Sequence, residues 1–124
     1  MIGLTPHLRI WAYPAPCDMR KGHNGLLGLI ERQCAPGAKR ASARRARDVR
    51  SGDLFLFVNR RLNLTKILYF DGTGYVILYK RRLEGRFPRL WDRDVVDPTG
   101  IRLSAAELAL FLDGCQLLSK QAVA

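Results

Sequence analysis

The sequence is short of acid, histidine and cysteine, and it has no long apolar run. Its 11 acidic residues face 21 basic ones, leaving a net charge of +10 over 124 residues. No stretch approaches the roughly 18 consecutive apolar residues that read as a membrane-spanning helix. Neither helical segment described below has the basic face of a membrane-surface helix. The first 13 residues are broken by Pro6, His7 and Arg9, so they do not read as a secretion signal. Two histidines, His7 and His23, leave little material for a metal site, and no cofactor is expected. The three cysteines, Cys17, Cys34 and Cys115, are odd in number and lack zinc-ligand spacing. They are expected as reduced thiols in a cytoplasmic protein.

What is abundant is arginine. Sixteen of the 21 basic residues are Arg, whose planar fork of donors matches phosphate oxygens in pairs. A polyanion suits such a chain better than a small metabolite, and nucleic acid is the polyanion that arginine pairs match best. The plainer reading is a basic surface that aids solubility. A hydrophobic content of 48% fits one globular domain with one core.

Along the chain, RIWAY (9–13) alternates polar with apolar residues and reads as a short strand closed by Pro14 and Pro16. Asp18 is placed to cap a helix whose apolar stripe is His23, Leu26, Leu27, Ile30 and Cys34, with His23 read as a core residue. Gly22, Gly25 and Gly28 weaken that helix or let something pack closely on it. Residues 38–52, AKRASARRARDVRSG, break the pattern. Lys39, Arg40, Arg44, Arg45, Arg47 and Arg50 oppose only Asp48, and no apolar face accompanies them. This insertion reads as a mobile arm or a marginal helix that orders on a partner.

From Leu54 strands take over. LFLFV (54–58) is apolar on both faces, as a strand covered on each side is. A polar connection at 60–63 leads to Lys66–Phe70, and the Asp71-Gly72-Thr73-Gly74 turn leads to Tyr75–Tyr79. Residues 81–94 are irregular, with Phe87, Leu90 and Trp91 as anchors. After the Asp97-Pro98-Thr99-Gly100 turn, Ile101–Leu103 makes a short strand. Ser104 and Glu107 then form a capping box that opens a helix burying Leu108, Phe111 and Leu112, with Gly114 as its stop. The predicted fold is α+β: a small antiparallel sheet, a three-stranded meander plus short strands, packed with two helices. One domain is expected over 1–119, with the basic insertion at about 38–52 and a loose tail at 120–124.

The blocks RIWAYPAPCDMRKGHNGL, GDLFLFVNRR, KILYFDGTGYVILYKRRLEGRF and IRLSAAELALFLDG occur in an order that resembles one bacterial family. It is the small accessory protein, Orf2 or TnpB, of IS-sixty-six-type insertion sequences, distinct from the RNA-guided nuclease that shares the second name. The resemblance spans about residues 3–114. Its most specific parts are Asp18–Gly22 and Lys66 through Lys80-Arg81. It implies a role in transposition beside a separate transposase, and it brings no catalytic residue. The chain departs from the family in its long Arg-rich link before Gly52, in Phe70 where Trp is common, and around Arg82–Trp91, where a residue and a Trp-Pro pair are missing.

The sharpest constellation is Lys66, Asp71, Lys80, Arg81, Arg82 and Arg86. Its cations either grip phosphates or solvate strand ends, and Asp71 is read chiefly as a turn residue. Arg20 and Lys21 open the first helix, where free backbone N–H groups welcome a phosphate. With Arg60, Arg61 and the six cations of the insertion, these are the candidate nucleic-acid contacts. Trp11, Tyr13, Tyr69, Tyr75, Tyr79 and Trp91 are able to stack on bases, although period-two placement favours packing for the strand tyrosines. Enzyme chemistry finds little support. Asp92, Asp94 and Asp97 cluster, but without a carboxylate from a core strand to complete a two-metal site. There is no nucleophile elbow and no phosphate-cradling loop. The expectation is a non-catalytic accessory protein that binds DNA at element ends and associates with the nucleoid. The alternative is an adaptor that binds the transposase.

Overall fold

Two periodicities build the chain, alternation for the strands and 3.6-residue spacing for the helices. The elements are β1 (Ile10–Ala12), α1 (His23–Cys34), β2 (Leu54–Val58), β3 (Leu64–Phe70), β4 (Tyr75–Arg81), β5 (Ile101–Leu103) and α2 (Ala105–Leu112). The structure is a computed structural model and describes residues 9–34, 52–91 and 101–114. The basic insertion, Gly52 apart, and the acidic cluster at Asp92, Asp94 and Asp97 lie outside the described residues.

The strands form one sheet in the order β4-β3-β2-β1-β5. The meander β2-β3-β4 is antiparallel as predicted, and β5 runs antiparallel to β1. One pair departs from the all-antiparallel expectation: β1 and β2 are parallel, with Ile10 opposite Leu54 and Ala12 opposite Leu56. A parallel pair needs a long crossover to bring the chain back to the starting end, and the connection through α1 supplies one. β2 is thus central, and all five of its residues are buried.

Alternation then divides the core into two layers. On one face Leu26, Leu29 and Ile30 of α1 pack with Phe55, Phe57, Leu68 and Cys17. On the other, Leu108 and Phe111 of α2 join Phe87 and Leu90 over Ile10, Ala12, Leu54, Leu56, Val58, Ile67, Ile101 and Leu103. The rings of Phe87 and Phe111 stack with centroids 4.9 Å apart. The segment after β4 is therefore part of the core despite its irregular backbone. Ser104 caps α2 as predicted: its hydroxyl accepts from the Glu107 N–H at 3.1 Å, and the Ser104 N–H donates to the Glu107 carboxylate at 2.9 Å. Gly114, with φ +83, follows as the stop.

Asp53, buried just before β2, accepts from Arg9 Nε at 3.2 Å and from the Trp11 indole N–H at 3.1 Å. Arg102 lies over the Trp11 ring, 5.2 Å from its centroid. These contacts tie β1 to both neighbours and give Trp11 a structural place.

Phe111→Ala is expected to lower unfolding free energy by about 3–5 kcal/mol, because the stacked layer over β1 and β2 cannot close on the void. Ser104→Ala is expected to cost only about 1 kcal/mol, the loss of a helix cap. Urea titrations of both variants check the order.

Candidate nucleic-acid interface

Asn59 begins the turn that leaves β2. Its side-chain oxygen accepts from the backbone N–H groups of Asn63 and Leu64, both at 3.0 Å, and its amide donates to Asn63 Oδ1 at 2.7 Å. Leu62 sits at φ +63, a left-handed conformation uncommon for a leucine, and its side chain is buried in the core. The Leu62 carbonyl also accepts from the Phe87 N–H at 2.7 Å. The turn is therefore pinned from inside, and Arg60 and Arg61 at its tip are left exposed. In sequence this turn looks like no more than a polar connection. The one usable signal was a leucine between Arg61 and Asn63.

A second loop lies against the same end of the sheet. Beyond β1, the Tyr13 N–H donates to Leu56 O at 2.9 Å and the Cys17 N–H to Val58 O at 2.8 Å, so residues 13–17 follow β2 to its end. Lys66 of β3 then sends its ammonium to Met19 O and Lys21 O, each at 2.8 Å. That cation holds the loop in place. A Cβ at Gly25 would sit 2.9 Å from Lys21 Cβ, so glycine is needed where the loop meets α1.

Three local readings are corrected here. The helix starts at His23, two residues after Lys21, so Arg20 and Lys21 belong to the loop before it. Asp18 does not cap it: Asp18 Oδ1 accepts the Arg20 N–H at 2.9 Å, and both carboxylate oxygens take the Arg20 guanidinium at 2.8–3.1 Å. His23 is exposed rather than in the core, with Nε2 3.2 Å from Tyr75 O at the start of the edge strand β4. Bonds from the Arg20 side chain and backbone hold the Asp18 carboxyl down to about 2, so this ion pair persists through neutral and mildly acidic pH.

The antiparallel hairpin decides which other cations meet. Leu64 pairs with Arg81 and Phe70 with Tyr75. The residues before β3 and after β4 therefore arrive at one end, and Asp71 lies at the other. Asp71 accepts from the Thr73 N–H at 3.0 Å and the Gly74 N–H at 3.0 Å, which lowers its pKa. With Gly72 at φ +110 it shapes the turn, and it bonds no arginine among the described residues. Along β4, alternation sends Lys80 and Arg82 to the α2 face. Lys80 Nζ donates to Leu112 O at 2.7 Å, satisfying a carbonyl at the negative end of α2. Arg82 donates to Glu84 O at 3.0 Å and lies over the Phe87 ring. Arg81 points to the opposite face, with Tyr79 and Lys66.

What remains at this end is Lys21, Arg60, Arg61, Arg81 and Arg86, none of which makes an ion pair with a described residue. Arg86 is exposed next to Phe87, whose N–H holds the Leu62 turn. Between the two loops runs an open groove of about 800 Å³, lined by Cys17–Arg20, Asn59–Arg61, Leu64 and Tyr79. Lys39, Arg40, Arg44, Arg45, Arg47 and Arg50 lie outside the described residues. Tyr69 and Tyr75 are half-buried against the two core layers, as period two predicted, but Tyr79 is 57% exposed. Among the described residues, no three His, Cys, Asp or Glu side chains gather as a metal site would need.

Residues 8–122 match the model of the family described as IS66 Orf2 like protein. The chain belongs to that family. It is thereby an IS66-type accessory protein, of the insertion-sequence group to which its motif blocks pointed. An uncharacterized protein, y4jC, of Sinorhizobium fredii (strain NBRC 101917 / NGR234) is 34% identical over 87 residues, covering 70% of this chain. The matched region spans 65% of that relative's length. No solved structure matches. No helix among the described residues of this IS66 Orf2-like chain is long and apolar enough to cross a membrane.

Cys17 reports on the Lys66 clasp. Burial pushes its thiol up from about 9 to about 11, so the neutral thiol favours the fold below the ordinary value, and that contribution fades as pH rises through 11. In the native protein at pH 8, Cys17 is expected to resist alkylation by iodoacetamide. Lys66→Met removes two charge-assisted hydrogen bonds from the loop and is expected to speed Cys17 labelling several-fold without unfolding the sheet. Peptide mass spectrometry after timed labelling checks this.

Proposed function

We propose that this chain is a non-catalytic accessory protein of insertion-sequence transposition that holds DNA by its phosphates, through the basic rim and the Arg-rich insertion at 38–52. The observation that carries the reading is the convergence of Arg60, Arg61, Arg81 and Arg86 on one end of the sheet. The turn beneath Arg60 and Arg61 is fixed by its own hydrogen bonds and a buried leucine. The fixed backbone carries both arginines at the rim, and the fork geometry of a guanidinium fits phosphate oxygens in pairs. The family's place in transposition supplies the DNA.

A second reading is an adaptor for the transposase. Leu83 is 94% exposed, Leu78 is 42% exposed, and the outer edge of β4 has no partner strand among the described residues. Such an edge accepts an added strand from another protein. Co-purification of the two proteins that survives nuclease treatment, with no DNA retained by this chain alone, would favour the adaptor.

If roughly six phosphates are neutralised, log K for element-end DNA should fall with log[salt] at a slope near −5. Replacing Arg44, Arg45 and Arg47 together by Ala should flatten that slope by about 3, since each lost phosphate contact removes about 0.9. Fluorescence anisotropy across a salt series measures both, and a wild-type slope close to zero removes the reading.

The Asp18–Arg20 pair gives a gain-of-binding test. Asp18→Asn frees a guanidinium at the edge of the groove, so DNA affinity at low salt should rise several-fold and the slope steepen by about 1. Unchanged affinity would show that Arg20 lies away from the DNA path.

A further inference from the structure

We infer that the groove at this end of the sheet seats an unpaired nucleotide, its base stacked on Tyr79 and its flanking phosphates held by Arg60, Arg61 and Arg81. This rests on the DNA-binding reading above and narrows it from DNA in general to a single-stranded or frayed end.

Tyr79 is the one exposed aromatic ring among the described residues, at 57%, whereas the others are buried or half-buried. A ring standing out from a strand face offers flat apolar area that a stacked base would cover. The ring is also held. Tyr79 is directly opposite Lys66, whose ammonium is 5.0 Å from the ring centroid and is itself fixed by two carbonyls. A ring fixed over a cation and open to solvent is a stacking platform, and every base offers a face to it.

The cations stand where a backbone would pass. Arg81 is two residues along β4, so it shares Tyr79's face of the sheet. Arg60 and Arg61 line the groove together with Tyr79. Asp18, the acid in the groove wall, is already taken by Arg20. The dimensions favour an unpaired strand over a duplex. A groove of about 800 Å³ is of the size that receives a small ligand. Duplex readout instead needs a convex helix or ribbon entering the major groove. Neither helix among the described residues offers one: α2 has no basic residue, and α1 has only Arg32 near its end.

The test is anisotropy with three labelled probes at fixed salt: a blunt duplex of element-end sequence, the same duplex with a single-stranded overhang, and a short oligothymidine. The wild-type chain should bind the overhang and the oligothymidine more tightly than the blunt duplex. Tyr79→Ala should weaken those two about ten-fold and leave the blunt duplex unchanged, while Tyr79→Phe keeps the wild-type affinities. A joint Arg60, Arg61 and Arg81 to Ala variant should weaken the single-stranded probes with a reduced salt slope. Because Tyr79 is exposed, thermal melting of both Tyr79 variants should match wild type. Equal binding of all probes, with Tyr79→Ala harmless to each, overturns the stacking site and leaves the DNA reading standing. Binding of no probe by the wild-type chain overturns both.

Discussion

Leu54–Val58 has no face turned to water, and that constraint orders everything at the basic end. A strand buried on both sides must satisfy its backbone on both edges, since an unpaired buried amide costs about as much as a lost hydrogen bond. One edge is met by β3. The other is met by β1 and, beyond it, by the chain at 13–17, whose N–H groups reach Leu56 O and Val58 O. Both the loop before α1 and the turn at Asn59–Asn63 are therefore delivered to the carboxyl end of one strand. The groove between them follows from saturating β2.

Charge is sorted by the same geometry. A run such as Lys80-Arg81-Arg82 looks uniform in sequence, yet alternation splits it between faces with different chemistry. Lys80 and Arg82 reach carbonyl groups near α2 and a phenyl ring, where they hold the fold. Lys66 does the same for the loop before α1. Only Arg81 of that run joins Arg60, Arg61 and Arg86. Among the described residues the basic rim is thus narrower than the arginine count implies.

The order and type of the elements were legible because their signals are local. The twin apolar faces of LFLFV, the Asp-Gly turn, the Ser104–Glu107 box and the anchors Phe87 and Leu90 each declare themselves within a few residues. The parallel β1–β2 pair was not legible. A three-residue strand carries no directional signal, and a connection through a helix allows either course. The fate of individual cations was equally hidden, because whether a lysine meets solvent or a carbonyl depends on contacts 32 to 47 residues away in sequence. His23 and Asp18 misled for a related reason. Helical spacing and a capping residue type were both present, but the loop clasped by Lys66 delays the helix by a full turn.

Leu62 shows why the turn beneath Arg60 and Arg61 is fixed. A leucine at positive φ stores strain of order 1–3 kcal/mol, which persists only if the surroundings compensate it. Here they do: the side chain is buried in the core, the carbonyl holds Phe87, and Asn59 ties the turn across its mouth. A glycine at this position would relieve the backbone strain but empty the space that Leu62 fills in the core. A leucine there exchanges backbone ease for an inward anchor, and the residues it fixes outward are Arg60 and Arg61. That exchange settles at folding where the backbone presents Arg60 and Arg61, so an anionic partner has only their side chains left to order.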